Sequence, residues 1–512
     1  GRRLRGDFAA IGLLVTAVMA NLLITNYRPL FNGSAGLSLV PAPLQDRFNP
    51  QLVGYQWAYA VAAIVLALLV YLFLRRVTES PYGRSLRAMR DNDVVADSLG
   101  KNLVSLRLAM LVLGGAVAGL SGGILVGFIN LWAPSGWTYA ETIVLFAAVI
   151  IGGAGNHRGA VLGALLVPLL FEELTRFIPA FGPPGLIPAL QWVAIGLLIV
   201  VFLWFRPQGV LPERRRVTAR FAVASTVVVD EDDWVLPGAS APDPAKRSSV
   251  VISDPIPSQP AEVVLKADAL TRTYDGVEVV SGVTFELRRG RLTGLIGPNG
   301  AGKSTTLAML AGTLAPTSGR VLFEGRDVTG MPAFRRARGG LLRTFQLASE
   351  FKRLTVLENL LSAVPRQPGD TFHGAVLGRR YWWAAEERAI DRAEVMLAEF
   401  GLTGCANQYA GDLSGGQRRL VEIMRALMAE PSVLLLDEPV AGVHPHLAHE
   451  IGEHLLRLCA DGMTIMMVEH ELAIMDEFCD PVVVMAEGRV LAEGTMRVLR
   501  GRSEVVEAYL VG

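Results

Sequence analysis

Gly297-Pro298-Asn299-Gly300-Ala301-Gly302-Lys303-Ser304-Thr305 fits the phosphate-loop pattern G-x-x-x-x-G-K-[ST], with Gly297, Gly302, Lys303 and Ser304 at the fixed positions. Each residue type has its own reason to be there. Glycines let the backbone curl until several N–H groups converge on an anion, a path that a Cβ would obstruct. A helix starting near Lys303 adds the positive end of its dipole. Lys303 brings a point charge to the β- and γ-phosphates, and Ser304 brings a hydroxyl able to ligate Mg2+. The flanks agree, since Leu292-Thr293-Gly294-Leu295-Ile296 reads as the strand before the loop and 306–311 as the helix after it.

At 512 residues the chain has room for two or three domains. Hydrophobic residues make up 51%, charged ones only 19%, and mean hydropathy is +0.38, too apolar for an ordinary soluble enzyme. Forty-eight basic residues balance 48 acidic ones, so bulk charge gives no signal for nucleic acid, and no nucleic-acid partner is expected. Cys405, Cys459 and Cys479 lack metal-ligand spacing, and a reduced compartment suits them. The chain begins at Gly1 rather than Met, and we expect an N-terminal portion to precede it.

Apolar residues concentrate before residue 206, in six stretches at about 8–25, 57–74, 104–129, 142–151, 160–177 and 186–205. A bilayer crossing takes roughly 20 residues, so 142–151 is short for a span. The connection 75–107 carries Arg75, Arg76, Arg84, Arg87, Arg90, Lys101 and Arg107, whereas 26–56 has only Arg28 and Arg47. The positive-inside rule puts 75–107 in the cytoplasm, and counting spans returns Arg206 and Arg2-Arg3 to the same side. Gly115, Gly119 and Gly123 recur at a spacing that suits helix packing. Glu141, Glu172, Glu173 and Arg176 stand at or near membrane depth, where ionisable groups are costly unless paired or wet. Within the basic connection, 83–96 reads as a charged helix stopped by Gly100, either a solvated connector or a helix that docks on a cytoplasmic partner.

Seven prolines and an acidic run, Asp230-Glu231-Asp232-Asp233, mark 212–260 as a tether, within which 221–229 could pair locally as a strand. Beyond it, Val433-Leu434-Leu435-Leu436-Asp437-Glu438 is an apolar run ending in two acids, a buried strand with carboxylates at its carboxyl end. Asp437 is placed to hold a Mg2+ shell and Glu438 to polarise an attacking water. Leu413-Ser414-Gly415-Gly416-Gln417 opens a long helix and makes a second anion site. Thr344-Phe345-Gln346 follows one apolar run, and His470 closes another. His446, His449, His454, Glu450 and Glu453 lie at helical spacings, suiting either a metal site or a solvated helix face.

The phosphate loop, Gln346, the LSGGQ run, Asp437-Glu438 and His470 occur in the order of an ABC transporter ATPase, a resemblance that covers 261–512. It implies an α/β domain with a helical subdomain that binds ATP and Mg2+. By position, Tyr274 resembles the residue that stacks on adenine, and Asn299, Gly300 and Thr305 complete the phosphate cradle. Gln346 would sense Mg2+ and water, and Ser304, Gln346 and Asp437 would form the metal set. Ser414, Gly415, Gly416 and Gln417 would meet ATP held by an opposing domain, and His470 would contact the phosphate in its own. Arg343-Thr344-Phe345-Gln346, Val468-Glu469-His470 and Ala508-Tyr509-Leu510 are similar to the ATPase of the branched-chain (hydrophobic) amino-acid uptake family. Ser80-Pro81-Tyr82-Gly83-Arg84, Ser98-Leu99-Gly100, Ile151-Gly152-Gly153-Ala154-Gly155 and Arg206-Pro207-Gln208-Gly209-Val210-Leu211-Pro212 look like the later part of its permease.

The resemblance implies a multi-span α-helical membrane domain in 1–211, a flexible linker in 212–260 and an ABC ATPase in 261–512. It further implies ATP-driven import of branched-chain or related amino acids at a bacterial inner membrane, with the ATPase in the cytoplasm. A second permease, a second ATPase, an external solute-binding protein and membrane lipid would be the partners. Related systems carry urea, short amides or aromatic carboxylates, and a non-transport ATPase with an incidental anchor is the contrasting class. Two departures stand out. His444 takes a position where most ABC domains carry Asp and this family commonly Asn, and the third position of LSGGQ is not the aromatic often found with this permease type.

Overall fold

A computed structural model describes residues 6–38, 40–43, 47–134, 139–171, 173, 177, 186–213, 217–221, 262–344 and 350–511. In chain order the first helices are α1 (Gly6–Asn26), α2 (Val53–Glu79), α3 (Pro81–Asp91), α4 (Asp93–Ser98), α5 (Leu103–Ile129), α6 (Tyr139–Gly152), α7 (His157–Ala164) and α8 (Leu186–Phe205). The chain divides into two compact units, Gly1–Arg76 with Val104–Arg215, and Val77–Leu103 with Arg216–Gly512. Residues 77–103 of the basic connection thus belong to the second unit.

In the first unit, α2 and α5 are long and apolar enough to cross a bilayer. The stretches Ile11–Asn26, Thr142–Gly152, His157–Leu169 and Ala189–Phe205 are shorter. Of the six expected spans, α2 and α5 thus have ample length, and α1 and α8, helices of 21 and 20 residues, stand near the length of a crossing. In the stretch after α7, Pro168 lacks an N–H and sits in the π-helical turns Leu165–Phe171 that continue the helix. Val144, Ala147, Ala148, Ile151, Val167 and Ile195 make the unit's small core. Elsewhere its apolar side chains stand open, as at Trp57, Ile64 and Trp204. A Cβ at Gly115, Gly119 or Gly123 would meet nothing within 4 Å, so that stripe packs against nothing among the described residues. Val210 and Leu211 donate to Ile151 and Gly152 carbonyls at 2.8 and 3.0 Å, which brings two of the permease-like motifs together. Glu172 and Arg176 lie outside the described residues.

The second unit holds β1 (Val263–Tyr274), β2 (Val277–Arg288), β3 (Leu292–Ile296), α9 (Lys303–Ala311), β4 (Ser318–Phe323), β5 (Arg326–Asp327), α10 (Ala333–Arg338) and β6 (Leu341–Arg343). There follow α11 (Val356–Ala363), α12 (Arg379–Glu399), α13 (Gly415–Met428), β7 (Val433–Asp437), α14 (Pro445–Ala460), β8 (Thr464–Val468), β9 (Val482–Ala486) and β10 (Arg489–Gly494). One sheet runs β10-β9-β3-β8-β7-β6, parallel except for the β9–β10 edge, and an antiparallel sheet runs β2-β1-β4-β5. Parallel strands covered on both faces read as unbroken apolar runs, and β7 shows why. Leu434 and Leu436 point into the core shared with α13 and α14, while Val433 and Leu435 point into the core shared with β1, β2 and α9. Each buried side chain of this size contributes about 1.5–3 kcal/mol, so a strand fully buried on both sides is a firm platform for the acids at its end.

The helical subdomain consists of α11, α12 and α13. A capping box starts α11, where Thr355 Oγ1 accepts from Glu358 N at 3.1 Å and Glu358 Oε2 accepts from Thr355 N at 3.2 Å. The expected single helix at 83–96 is two helices, because the Asn92 side chain takes the Val95 N–H and restarts the chain as α4. The face carrying His446, His449, Glu450, Glu453 and His454 is not wholly solvated, since Glu450 and His454 are buried. His454 meets Phe400 edge-on and lies 3.4 Å from Glu399. Among the described residues no cluster of three acidic, histidine or cysteine side chains could hold a metal.

Candidate functional site

The phosphate loop leaves β3 between two cores and cannot carry side chains at its turns. A Cβ on Gly297 (φ +155°) would stand 2.1 Å from the Met485 carbonyl oxygen. Gly302 caps the start of α9 at φ +92°, and a Cβ there would stand 2.9 Å from Val279 O. Above Gly300 the space is open. Lys303 is buried and folds over the loop, donating to the Gly297 and Pro298 carbonyls at 2.7 and 3.0 Å. Burial lowers its pKa, with Glu438 and Asp437 opposing the shift. These two carbonyls are weak partners for an ammonium, and a polyphosphate in the open cradle suits it better. Lys303→Ala is expected to weaken ATP binding tenfold or more, the loss of one charge-assisted contact of about 1.5–3 kcal/mol. Titration with a fluorescent ATP analogue measures it, and an unchanged Kd would take Lys303 out of the cradle.

At the end of β7, Asp437 Oδ2 accepts from Arg343 Nη2 at 2.9 Å, and its backbone N donates to Thr344 Oγ1 at 3.2 Å. Asp437 Oδ1 is buried without a hydrogen-bond partner. A buried acceptor left over beside a phosphate loop fits a hard cation and its waters, with Ser304 as the other protein oxygen. Glu438 sits at φ +51°, outside the regular strand, with its N–H on Val468 O at 2.9 Å. That bend turns the carboxylate away from the sheet core, and Oε1 lies 2.9 Å from His470 Nε2. Glu469 is buried and clasps the same corner, accepting from Val440 N at 2.9 Å and His470 N at 3.3 Å. Burial pushes its carboxyl up to about 7, partly offset by those two bonds.

Ser414 and Gln417 form a second capping box, and the glutamine amide oxygen is engaged by Ser414 N at 3.2 Å. Gly415 faces open space, and only Leu447 approaches Gly416, at 3.9 Å. Among the described residues no hydrogen bond or ion pair joins 414–417 to 297–305, so this chain alone does not bring the two anion sites together. Tyr274 is 43% exposed at the end of β1, with the Arg272 guanidinium 4.5 Å over one ring face. Gln346 lies outside the described residues. His444 is the N-cap of α14, its Nδ1 accepting from His446 N at 3.4 Å. Asn has an acceptor for the same bond. We therefore expect pH–rate curves of wild type and His444→Asn to superimpose; divergence on the acid limb would show that the imidazole couples the sites.

The basic connection is seated on the helical subdomain. Arg84 forks onto Glu386 of α12 at 2.5 and 3.0 Å, both side chains under 9% exposed. Burial alone would lower the Arg84 pKa, but Glu386, helped by Asp370 and Glu358, turns the net shift upward. Arg87 reaches Glu358 Oε1 at 2.5 Å, so one glutamate caps α11 and binds α3. Lys101 and Ser85 both meet Asp370, and Asp91 accepts from Arg353 N at 2.9 Å. Ala88, Val95 and Ala96 pack on Phe351 and Leu354 between these pairs. Among the described residues 350–353, Phe351 and Arg353 join this seat beside the acids Glu386, Glu358 and Asp370. Arg343, Glu469, Glu358, Asp370 and Glu386 were not singled out from sequence. Only Arg343 and Glu469 had a signal, their adjacency to Thr344 and His470.

Residues 2–203 match the family model described as branched-chain amino acid transport system / permease component, and 280–441 match the model described as ABC transporter. The probable branched-chain amino acid transport ATP-binding protein LivG of Archaeoglobus fulgidus is 38% identical over 247 residues, 48% of this chain and 95% of that protein. The high-affinity branched-chain amino acid transport ATP-binding protein BraF of Pseudomonas aeruginosa is 35% identical over 248 residues, 48% of this chain and 97% of that protein. A nucleotide-free ATP-binding cassette from an ABC transporter is 36% identical, covering 48% of this chain and 99% of that one with a TM-score of 0.43.

Proposed function

The chain belongs to the branched-chain amino-acid transport family of ABC transporters, and from that premise we propose that it is a fused half-importer. Its permease helices occupy 1–211, the connection 212–260 and the ATP-binding cassette 261–512. The observation that carries this reading is that a permease match and a cassette match share one chain, with residues 80–101 of the former seated on the latter through Arg84 and Glu386. A cassette serving another purpose has no use for a buried ion pair with a loop between apolar helices.

The cassette binds ATP and hydrolyses it in step with transport. Gly297, Asn299, Gly300, Gly302, Lys303, Ser304 and Thr305 cradle the phosphates, and Tyr274 offers its uncovered face to the base. Ser304, Gln346 and Asp437 would hold Mg2+, which when bound neutralises charge on the β- and γ-phosphate oxygens. Glu438 takes the proton of the attacking water, and His470, within hydrogen-bond reach of it, contacts the γ-phosphate. Ser414, Gly415, Gly416 and Gln417 present an unshared helix N-terminus to the ATP of a second cassette. Closing two cassettes would then move the permease helices through the 80–101 seat.

A second permease, a second cassette and an external solute-binding protein complete the machine. It sits in a bacterial inner membrane with the cassette in the cytoplasm, on the side assigned to the basic 75–107 connection. Leucine, isoleucine and valine are the leading cargo. Proteoliposomes holding the assembled transporter and its binding protein should accumulate labelled leucine only with internal or external ATP on the cassette side. Accumulation of urea, a short amide or benzoate in its place would redirect the substrate, and ATP hydrolysis without uptake of any solute would end the importer reading.

A further inference from the structure

Residues 217–221 lie within the stretch that composition marks as a tether, yet they are bound to the cassette. The start of the strand read into 221–229 is instead a 3-10 turn, Ala219–Phe221, and the remainder lies outside the described residues. Phe221 is 2% exposed and belongs to the same apolar core as Ile390, Ala393 and Cys405. Thr218 and Asn407 exchange two hydrogen bonds, Thr218 N to Asn407 Oδ1 at 2.9 Å and Asn407 Nδ2 to Thr218 O at 3.2 Å. Asn407 is itself buried, so its amide is a built receptor for a passing backbone. Arg220 meets Asp391, with Glu387 at 3.4 Å, both on one stripe of α12.

These contacts combine three kinds of recognition. A buried aromatic supplies the driving force. A side-chain amide pairing with backbone fixes the register, and an arginine facing an acidic stripe fixes the direction. The exposed ion pair alone would count for little, because water screens it. A segment with no role in attachment would have no reason to fill the cassette's core with a phenylalanine.

Helix α12 thereby has two attachments on different sides. Glu386 takes Arg84 from the connection between α2 and α5, and Asp391 takes Arg220 from the chain that leaves α8. Only residues 206–216 separate Phe205 at the end of α8 from Val217. A loose linker raises local concentration without carrying force. A short connection ending on a packed anchor is different, since it leaves few residues to take up movement of the subdomain.

We propose that 217–221 is an intramolecular docking peptide, a second attachment of the permease half to the helical subdomain, with the surface formed by Asn407, Asp391 and the Phe221 pocket as its receptor. This holds whatever solute is carried, and its test needs neither transport nor ATP.

A protease site is placed in the full-length protein either at 213–216, before the anchor, or at 235–245, after it. Both proteins are cut in detergent, and release of the cassette fragment from the immobilised membrane fragment is timed. Cutting after the anchor leaves both attachments across the break, and cutting before it leaves only the 80–101 seat. We expect the first to retain its cassette at least tenfold longer. Phe221→Ala, and separately Arg220→Glu, should shorten retention only in the protein cut after the anchor. Arg220→Glu combined with Asp391→Arg should restore it, which loss of folding could not do. Equal release from both cuts, or a difference that survives Phe221→Ala and Arg220→Glu alike, would overturn the proposal.

Discussion

Glu438→Gln is expected to bind ATP as the wild type does and to hydrolyse it some 10²–10⁴-fold more slowly, the usual cost of losing a general base. The substitution keeps the size of the side chain and the backbone bond from residue 438 to Val468 O, 2.9 Å long in the wild type. It also leaves an amide able to hydrogen-bond His470. What it removes is the capacity to accept a proton from water. The φ of +51° at this position is the structural sign that the residue is aimed rather than merely placed, since a non-glycine residue holds that conformation only when its surroundings impose it. Here the imposition comes from Val468 O on one side and from Glu469, which grips Val440 N, on the other. Single-turnover hydrolysis alongside nucleotide binding separates the two steps. Near-normal turnover in the purified variant would remove Glu438 from the role and shift attention to His470.

Much of this was readable in advance because the chemistry leaves little latitude. The turns of the loop need glycines where Gly297 and Gly302 stand, and a strand buried on both faces needs the apolar run 433–436, so the expected strands, loop and helix are found there. Agreement weakens where partners are distant in sequence. Arg343 reaches Asp437 because β6 and β7 are parallel neighbours, a pairing that no spacing announces. The acids of the subdomain are likewise silent, since Glu386 sits in an ordinary charged stretch and Asp370 in a Pro-Gly turn, and only the fold turns them toward Arg84 and Lys101. Asn92 was a local signal that helix periodicity overrode, for an asparagine between two charged runs is as good an N-cap as an interior residue. Composition also misjudged 217–221, because prolines and charge across 212–260 hid one phenylalanine that joins the cassette's core.

Arg84→Ala is expected to cut ATP-driven uptake at least tenfold while leaving the cassette able to hydrolyse ATP. The reason is the asymmetry of a buried ion pair. Arg84 and Glu386 contribute modestly as a pair, since both lost their water on docking, but removing one partner strands the other's charge at a cost of about 3–5 kcal/mol. That cost is avoided if α3 leaves the subdomain and Glu386 regains solvent, and loss of docking is therefore the cheaper response. Arg87 with Glu358 and Lys101 with Asp370 would follow, because the three pairs share one rigid segment packed through Ala88, Val95 and Ala96. A Gly-Pro break at Ala88–Met89 should produce the same phenotype by destroying that segment. Replacing both partners, Arg84→Met with Glu386→Leu, should recover much of the uptake lost in either single variant, since no charge is then stranded. None of these substitutions alters a residue of the phosphate site, so its chemistry should persist in every case. Uptake and ATP hydrolysis measured on one reconstituted preparation decide the matter. If uptake survives Arg84→Ala and the Gly-Pro break together, force must pass elsewhere, and 80–101 is a seat without a coupling role.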